Sequence, residues 1–447
     1  MPANDRSTLN KALKYIYEPG LNFAIQNNIA FLYAFQKKKF PGVGKAYVFA
    51  THLKRNTNVG SRAHDGYYIP AAGETVDNGT VTPTYTHIPF EITNDLIKAA
   101  KGDRAAFKDG MRIVQETSRN TIQKDLNRQA LGDGTCVLCS LAVDAGGAGT
   151  RSLTVNGNTG KATTMFLEEG MAIDIWAGSA GTTRRNDSAA LPTTETAQAK
   201  TIIVVAITSD TVFTAKMYDG TSMPAITAND EVARWGNIVT DGSSLRVTRE
   251  ANGLRLFADD GTLDPSGGLH GLSASTYGRW KGLVKDAGTV PVSPAVASAL
   301  AILFRQKSSA KFDQLWMHDN QAHGLIYGAD GSYKDKRYVN GAVTDIGDNQ
   351  EAIVINVSGK KVKVNVDIDM TDTEMYGIAS EVMRYIELNG VELEEQADGQ
   401  YLVPWRDSTG SKPAQVGYWM FRGNWAVVMR NAVSRVYNLA KPASLPW

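Results

Sequence analysis

"RNTIQKDLNRQALGDGT", residues 119–135, ends a long run of helical periodicity in a Gly-Asp-Gly turn. Upstream of it, Phe107, Met111, Val114, Ser118, Ile122, Leu126 and Gln129 recur every three or four residues, and Gly110 is the one poor helix former inside the run. The spacing predicts a single amphipathic helix over residues 101–131, closed by Gly132 in the left-handed C-cap position. At 1.5 Å rise per residue such a helix is about 40 Å long, longer than most globular helices. It suits a beam that runs the length of a thin, flat protein.

The rest of the chain must supply what the beam supports. With 447 residues it exceeds one average domain, so two or three cores are expected. A composition of 43% hydrophobic and 21% charged residues is ordinary for a globular protein, and no apolar run is long enough to cross a bilayer. Basic and acidic residues number 47 and 46, which excludes the strong positive field of a dedicated nucleic-acid binder. The first thirty residues lack the pattern of a secretory signal, so the cytoplasm where the chain is made is the expected compartment. Cys136 and Cys139 form a C-x-x-C pair after a helix, without the second pair of ligands that structural zinc takes; they read as partly buried free thiols.

Residues 1–40 read as two short helices. Leu9, Leu13 and Ile16 share one face, Pro19-Gly20 breaks the pattern, and Ile25, Ile29, Leu32 and Phe35 resume it. The apolar stripe needs cover from the body of the chain or from a neighbour. Lys37 to Lys39 read as a solvated face at its end. Residues 46–53 form an apolar strand. In "THIPFEITND" Ile88, Phe90 and Ile92 alternate with His87, Pro89 and Glu91, a strand with Pro89 at an edge. Residues 54–81 between them show no period. If the flanking strands pair, this stretch is a long hairpin reaching outward that needs support from a second copy; otherwise it is a flexible surface loop.

Residues 141–240 carry short β-prone runs between Gly, Asn and Asp turns, predicting an inserted antiparallel barrel or sandwich. Residues 291–388 look α/β. Ser293 caps a helix with Pro294 first and Val296, Leu300, Leu303 and Phe304 on one face. "FDQLWMH" is a strand, "DNQAHGLIYG" a short helix capped by Asp319 and closed by Gly328, and "KKVKVNVDID" a half-exposed strand. "TEMYGIASEVMRYIEL" fits helix or strand, and Gly423-Asn424 between two apolar runs signals a hairpin.

None of this carries recognisable chemistry. Phosphate-binding, dinucleotide, nucleophile-elbow, zinc-protease and EF-hand patterns are missing. His318 and His323 stand on different helix faces. Asp367, Asp369, Asp372 and Glu374 lack a glycine-bent loop to converge on a cation, and read as a solvated strand end. "GADGSYKDKRY" reads as an exposed charged turn, and the eight Trp serve packing. No catalytic, cofactor-binding or metal-binding residue is expected. An enzyme reading would require a hydrolase built on scattered Asp, Glu or His.

The order of parts says more than any motif. An arm, a long extended loop, a long helix ending in "ALGDGT", a β insertion and an α/β domain with "FDQLWMHDNQAHGLIYG" together resemble the major capsid proteins of tailed bacteriophages. Their fold also forms the floor of the herpesvirus capsid and encapsulin compartments. The resemblance implies an α+β fold with an N-terminal arm (1–45), an extended loop (46–92) and a peripheral domain with a spine helix (93–140). An inserted all-β module (141–240), a peripheral return (241–290), an axial domain (291–400) and C-terminal strands (401–447) complete it. The sequence departs from simpler relatives in the β module, and in Thr135-Cys136 where a glycine often follows "GDGT".

It further implies a structural protein of the virion capsid, assembled in the bacterial cytoplasm. Hexamers and pentamers of itself would enclose double-stranded DNA through weak non-specific contacts, with separate scaffolding, portal and decoration proteins and no membrane. An encapsulin-like compartment is the alternative of the same fold. Expected inter-subunit contacts are Leu21, Ile25 and Phe35 of the arm and Lys54, Arg62, Tyr67, Tyr68 and Ile69 of the loop. Some relatives cross-link a loop lysine to a neighbour; Lys54 lies in the loop here, but no partner asparagine or assisting carboxylate is matched, so the resemblance implies none of that chemistry for it.

Overall fold

The predicted beam is helix α1, Arg104–Leu131, 28 residues or about 42 Å. In the computed structural model the described residues are 31–33, 36–39, 46–62, 64–67, 69–70, 72–94, 104–156, 163–178, 183–186, 201–240, 246–327, 353–357, 360–395, 399–407 and 410–441. The helical readings of residues 1–30, Phe35, Gly328 and the turn "GADGSYKDKRY" lie outside them.

Of the predicted apolar face of α1, Ile122, Leu126 and Gln129 are buried and Ser118 is half-buried. The helix does not end on a left-handed Gly132. The Gly132 N–H donates to the Gln129 carbonyl at 3.0 Å, and the left-handed residues come later, Gly134 at φ 71° and Cys136 at φ 64°. Instead the free carbonyls of the last turn meet helix α2, Leu254–Phe257: the Arg255 N–H donates to the Gly132 carbonyl at 3.1 Å. Gly253 permits this approach, since a Cβ there would collide with the Gln129 and Gly132 oxygens.

The helix lies on a five-stranded sheet whose order is Gln36–Lys39, Met383–Leu393, Gly410–Val427, Val403–Asp407, with Thr84–Thr93 also pairing Gly410–Val427. Gln36–Lys39 is therefore not the solvated end of a helix. It is a strand, parallel to Arg384–Glu387. Thr84–Thr93 pairs antiparallel along ten residues, Thr84 opposite Gly423 and Thr93 opposite Ala414, and is an edge among the described residues, as Pro89 required.

The predicted hairpin at Gly423-Asn424 does not form, because Gly410–Val427 runs unbroken for 18 residues. Gly423 marks a close approach, opposite the bulge between Glu387 and Asn389. A Cβ there would sit 2.7 Å from the Ile386 carbonyl and 2.5 Å from the buried Phe421 ring. Gly423→Ala is expected to destabilise the folded chain by about 1–3 kcal/mol, read as a lower urea midpoint at unchanged slope. Asn424 is buried, accepting from the Asn252 N–H (3.0 Å) and donating to the Thr82 carbonyl (2.8 Å).

A second, mixed sheet has the order Leu283–Asp286, Val433–Tyr437, Met375–Ile378, Gln314–Met317, Lys360–Val366, Ile353–Val357. Helix α3, Pro294–Lys307, packs against it through Ala297, Leu300, Ala301 and Phe304, and Ser293 caps it by accepting from the Val296 N–H at 3.4 Å. Helix α4, Asp319–Tyr327, is capped by His318 and not by Asp319. The His318 carbonyl accepts from Ala322 (3.0 Å) and its Nδ1 from the Asn320 N–H (3.1 Å). The ambiguous stretch 373–388 resolves into strands on either side of a turn at Ser380–Val382. One core joins both sheets, filled by Trp280, Phe257, Phe304, Phe421 and Trp425.

The insertion is a six-stranded antiparallel barrel in the order Val137–Leu141, Asp230–Arg234, Ala172–Trp176, Ile202–Ser209, Val212–Met217, Arg151–Thr154. It closes where Ala142 donates to Thr154 (2.9 Å) and Asn156 to Ser140 (2.7 Å). It has its own core, including Leu138, Ile173, Ile175, Val204 and Phe213. Cys136 and Cys139 form no disulfide and are buried at its entry, and burial pushes the Cys136 thiol up.

Candidate functional site

The segment that the body cannot cover is a two-stranded ribbon. Tyr47–Lys54 pairs antiparallel with Thr75–Val81, Tyr47 opposite Val81 and Lys54 opposite Thr75. The expected partner, residues 84–93, goes to the body sheet instead. The second ribbon strand hid in the stretch without period because Asp77-Asn78-Gly79 reads as a turn. Gly79 is there for another reason: the Phe49 ring lies over it, and a Cβ would collide with that ring.

The base of the ribbon is bolted to the body. Phe49 is buried edge-on to His270 (centroids 5.7 Å) and beside Trp280 (6.3 Å), with Leu53 and Val81 in the same core. The Thr80 N–H donates to the His270 carbonyl at 2.8 Å, Tyr277 Oη to Asp77 at 2.9 Å, and Thr51 Oγ1 to the Val428 carbonyl at 3.1 Å. His270 is left-handed at φ 57°, and its Nε2 accepts from the Val427 N–H at 3.4 Å.

Burial, with the Arg430 charge as a second cause, lowers the His270 pKa to about 3. The unfolded chain therefore takes up the proton first, and stability is lost as pH falls below the ordinary value of 6.5. Between pH 6.5 and pH 5 the expected loss is about 2 kcal/mol, and His270→Gln should flatten that part of the curve in denaturant titrations.

Beyond the bolts, the described residues between Arg55 and Glu74 form a tip with hydrogen bonds of its own. Asn56 Oδ1 accepts from the Asn58 and Ala72 N–H groups (3.0 and 3.4 Å), Asn58 Nδ2 donates to the Pro70 carbonyl (2.7 Å), and Arg62 Nη1 to Gly66 (2.6 Å). Val59 is 91% exposed, Tyr67 99% and Ile69 43%. Of the expected contact residues, Lys54, Arg62, Tyr67 and Ile69 lie exposed on this ribbon or its tip. Tyr68, Leu21, Ile25 and Phe35 fall outside the described residues. Val59 and the Phe49 seat were not singled out from sequence; a valine amid polar loop residues was the signal for the first. A tip with apolar and aromatic side chains in water can add to a partner's surface.

The acidic run is not a solvated strand end. Asp367, Asp369 and Glu374 are buried and carry structural hydrogen bonds, Tyr376 Oη donating to Glu374. Among the described residues no group of three or more His, Cys, Asp or Glu is placed to hold a metal, and no helix is long and apolar enough to cross a membrane.

The fold matches a chain of the cyanophage A-1(L) capsid asymmetric unit with a TM-score of 0.53, covering 97% of this chain and 99% of that one at 11% identity. Lower scores are found for the capsid of the Myoviridae phage XM1 (0.43, 96% and 98% covered, 9% identity). A holo encapsulin complex from Synechococcus elongatus scores 0.40 (100% and 99% covered, 5% identity). No protein-family model and no curated protein matches the sequence. The chain has the α+β fold of phage capsid subunits, as the order of its parts predicted.

Proposed function

We propose that this chain is a structural shell protein, the subunit of an icosahedral head that encloses the double-stranded DNA of a tailed phage. The observation that carries the reading is the fold shared with a cyanophage capsid chain over nearly the whole of both chains. The ribbon supports it: an ordered tip with Tyr67 and Val59 in water is built to lie on a neighbouring copy. In this reading residues 1–45 are the arm, 46–92 the extended loop and α1 the spine. The five-stranded sheet, to which the arm lends Gln36–Lys39 and the extended loop its last strand Thr84–Thr93, belongs to the peripheral domain, and the mixed sheet to the axial domain. Lys54, Arg62, Tyr67 and Ile69 contact the neighbouring subunit.

Many modest contacts per subunit sum to a stable closed shell, and a near-neutral chain limits adhesion of the wall to DNA. Scaffolding, portal and decoration functions fall to other proteins, and assembly takes place in the host cytoplasm. Negative-stain electron microscopy of the chain, expressed alone and with its neighbouring genes, should reveal uniform polyhedral shells. Shells loaded with a protein in place of DNA would move the reading to a cellular compartment. Small discrete particles under both conditions would overturn it.

A further inference from the structure

Where the N-terminal segment enters the body, two backbone N–H groups are received by side chains from distant parts of the sequence. Phe31 donates to Asp367 Oδ2 at 3.2 Å, and Leu32 donates to Asn127 Oδ1 at 3.0 Å. Asn127, on α1, spends its amide on both carboxylates, reaching Asp367 Oδ2 at 3.1 Å and Asp369 Oδ2 at 2.9 Å. Asp367 Oδ1 also accepts from the Asp369 N–H at 2.9 Å. The Phe31 ring stands edge-on to Trp316 at 4.9 Å, and both rings are buried.

The count of donors is uneven. Asp367 receives three N–H groups, enough to hold a negative charge in a buried place, whereas the cluster offers Asp369 one. Two buried carboxylates that share one amide cannot both stay ionised at low cost. We propose that Asn127, Asp367 and Asp369 form a proton-coupled latch, which takes up a proton when the Phe31–Leu32 segment docks and gives it up when the segment leaves.

The surroundings agree with that direction. Burial is the main cause that raises both groups, carrying Asp369 to about 6, with the Asp367 charge adding to it. Lys124 and Arg128 of α1 oppose the rise without cancelling it. His318 lies within electrostatic reach, and Asp125, Glu168 and Arg234 line the same cleft as Asp369. A carboxyl whose pKa is raised in the docked state favours docking below the raised value and loses that advantage as pH climbs through it. Acid therefore tightens the latch and neutral to alkaline pH loosens it. The inference concerns the single subunit and stands whether or not the chain builds shells.

Hydrogen–deuterium exchange on the full-length chain tests it, with rates corrected for the intrinsic effect of pH. The peptide containing Phe31–Tyr33 should exchange about fourfold faster at pH 8 than at pH 5.5, the change that a docked pKa of about 6 allows over that range. Strand Val137–Leu141 of the barrel serves as the internal reference and should show no such difference. In Asp369→Asn the peptide should be protected equally at both pH values, because the neutral amide mimics the protonated acid. Equal protection at both pH values in the parent chain, or an undiminished pH effect in Asp369→Asn, would overturn the proposal. Should Asp369→Asn not fold, the parent comparison still decides, with Asp369→Ser as the second neutral variant.

Discussion

Arg128→Met is expected to lower the unfolding free energy of the subunit by about 3–5 kcal/mol. Arg128 is buried on α1 and serves two carboxylates at once. Its Nε donates to Asp125 Oδ1 at 2.9 Å, its Nη1 to Glu250 Oε2 at 3.2 Å, and its Nη2 to Glu250 Oε1. Burial alone would raise the Asp125 pKa, but Arg128 and Arg234 together hold it well below the ordinary carboxylate range. Without Arg128, Asp125 keeps Arg234 and Gln129, while the buried Glu250 is left with the Asn237 amide among the described residues. A buried charge stripped of its main partner is the costly outcome, more than the lost attraction itself. Arg128→Lys should fall between the two, since a point charge cannot replace a planar fork with two acceptors. Urea denaturation of the subunit measures both. A change below about 1 kcal/mol for Arg128→Met would mean that water reaches this junction.

Replacing residues 56–73 by Asn-Gly is expected to leave a folded subunit of near parental stability that forms no closed particles. Both ribbon strands, and with them the contacts of Phe49, Thr51, Asp77 and Thr80 to the body, survive this change. What is lost is the tip with Val59, Tyr67 and Ile69. A wider deletion of residues 56–80 would remove the Thr75–Val81 strand along with its bolts and mix folding with assembly. Far-ultraviolet dichroism and urea midpoints report the fold, and electron microscopy of co-expressed material reports the particles. Normal shells from the tip deletion would show that the ribbon does not join subunits.

The sequence was most legible where structure is local. Helix α1 repeats its spacing for about six turns, and Ser293-Pro294 marks the start of α3 within two residues. Glycine was the main source of error. At Gly423 and Gly79 it serves a close approach to a carbonyl or a ring, which in one sequence looks the same as a turn. Hence a hairpin was expected inside an unbroken strand, and a strand was missed beside Phe49. The acidic run was misjudged because its partners, Phe31 and Asn127, lie 336 and 240 residues away along the chain, beyond any local pattern. Lys37 to Lys39 read as the end of a helix for the same reason: their strand partner is Tyr385 to Glu387. For the tip, the sequence pointed to the right region through its lack of period, but not to the hydrogen bonds that give it shape.

The barrel begins and ends on neighbouring strands, Val137 opposite Ala233 and Leu141 opposite Asp230. Whatever is spliced between those two strands enters and leaves by the same doorway, so the rest of the subunit need not shift to admit it. An engineer can use the same doorway to graft a foreign domain onto every subunit, provided its two ends sit about one strand spacing, roughly 5 Å, apart.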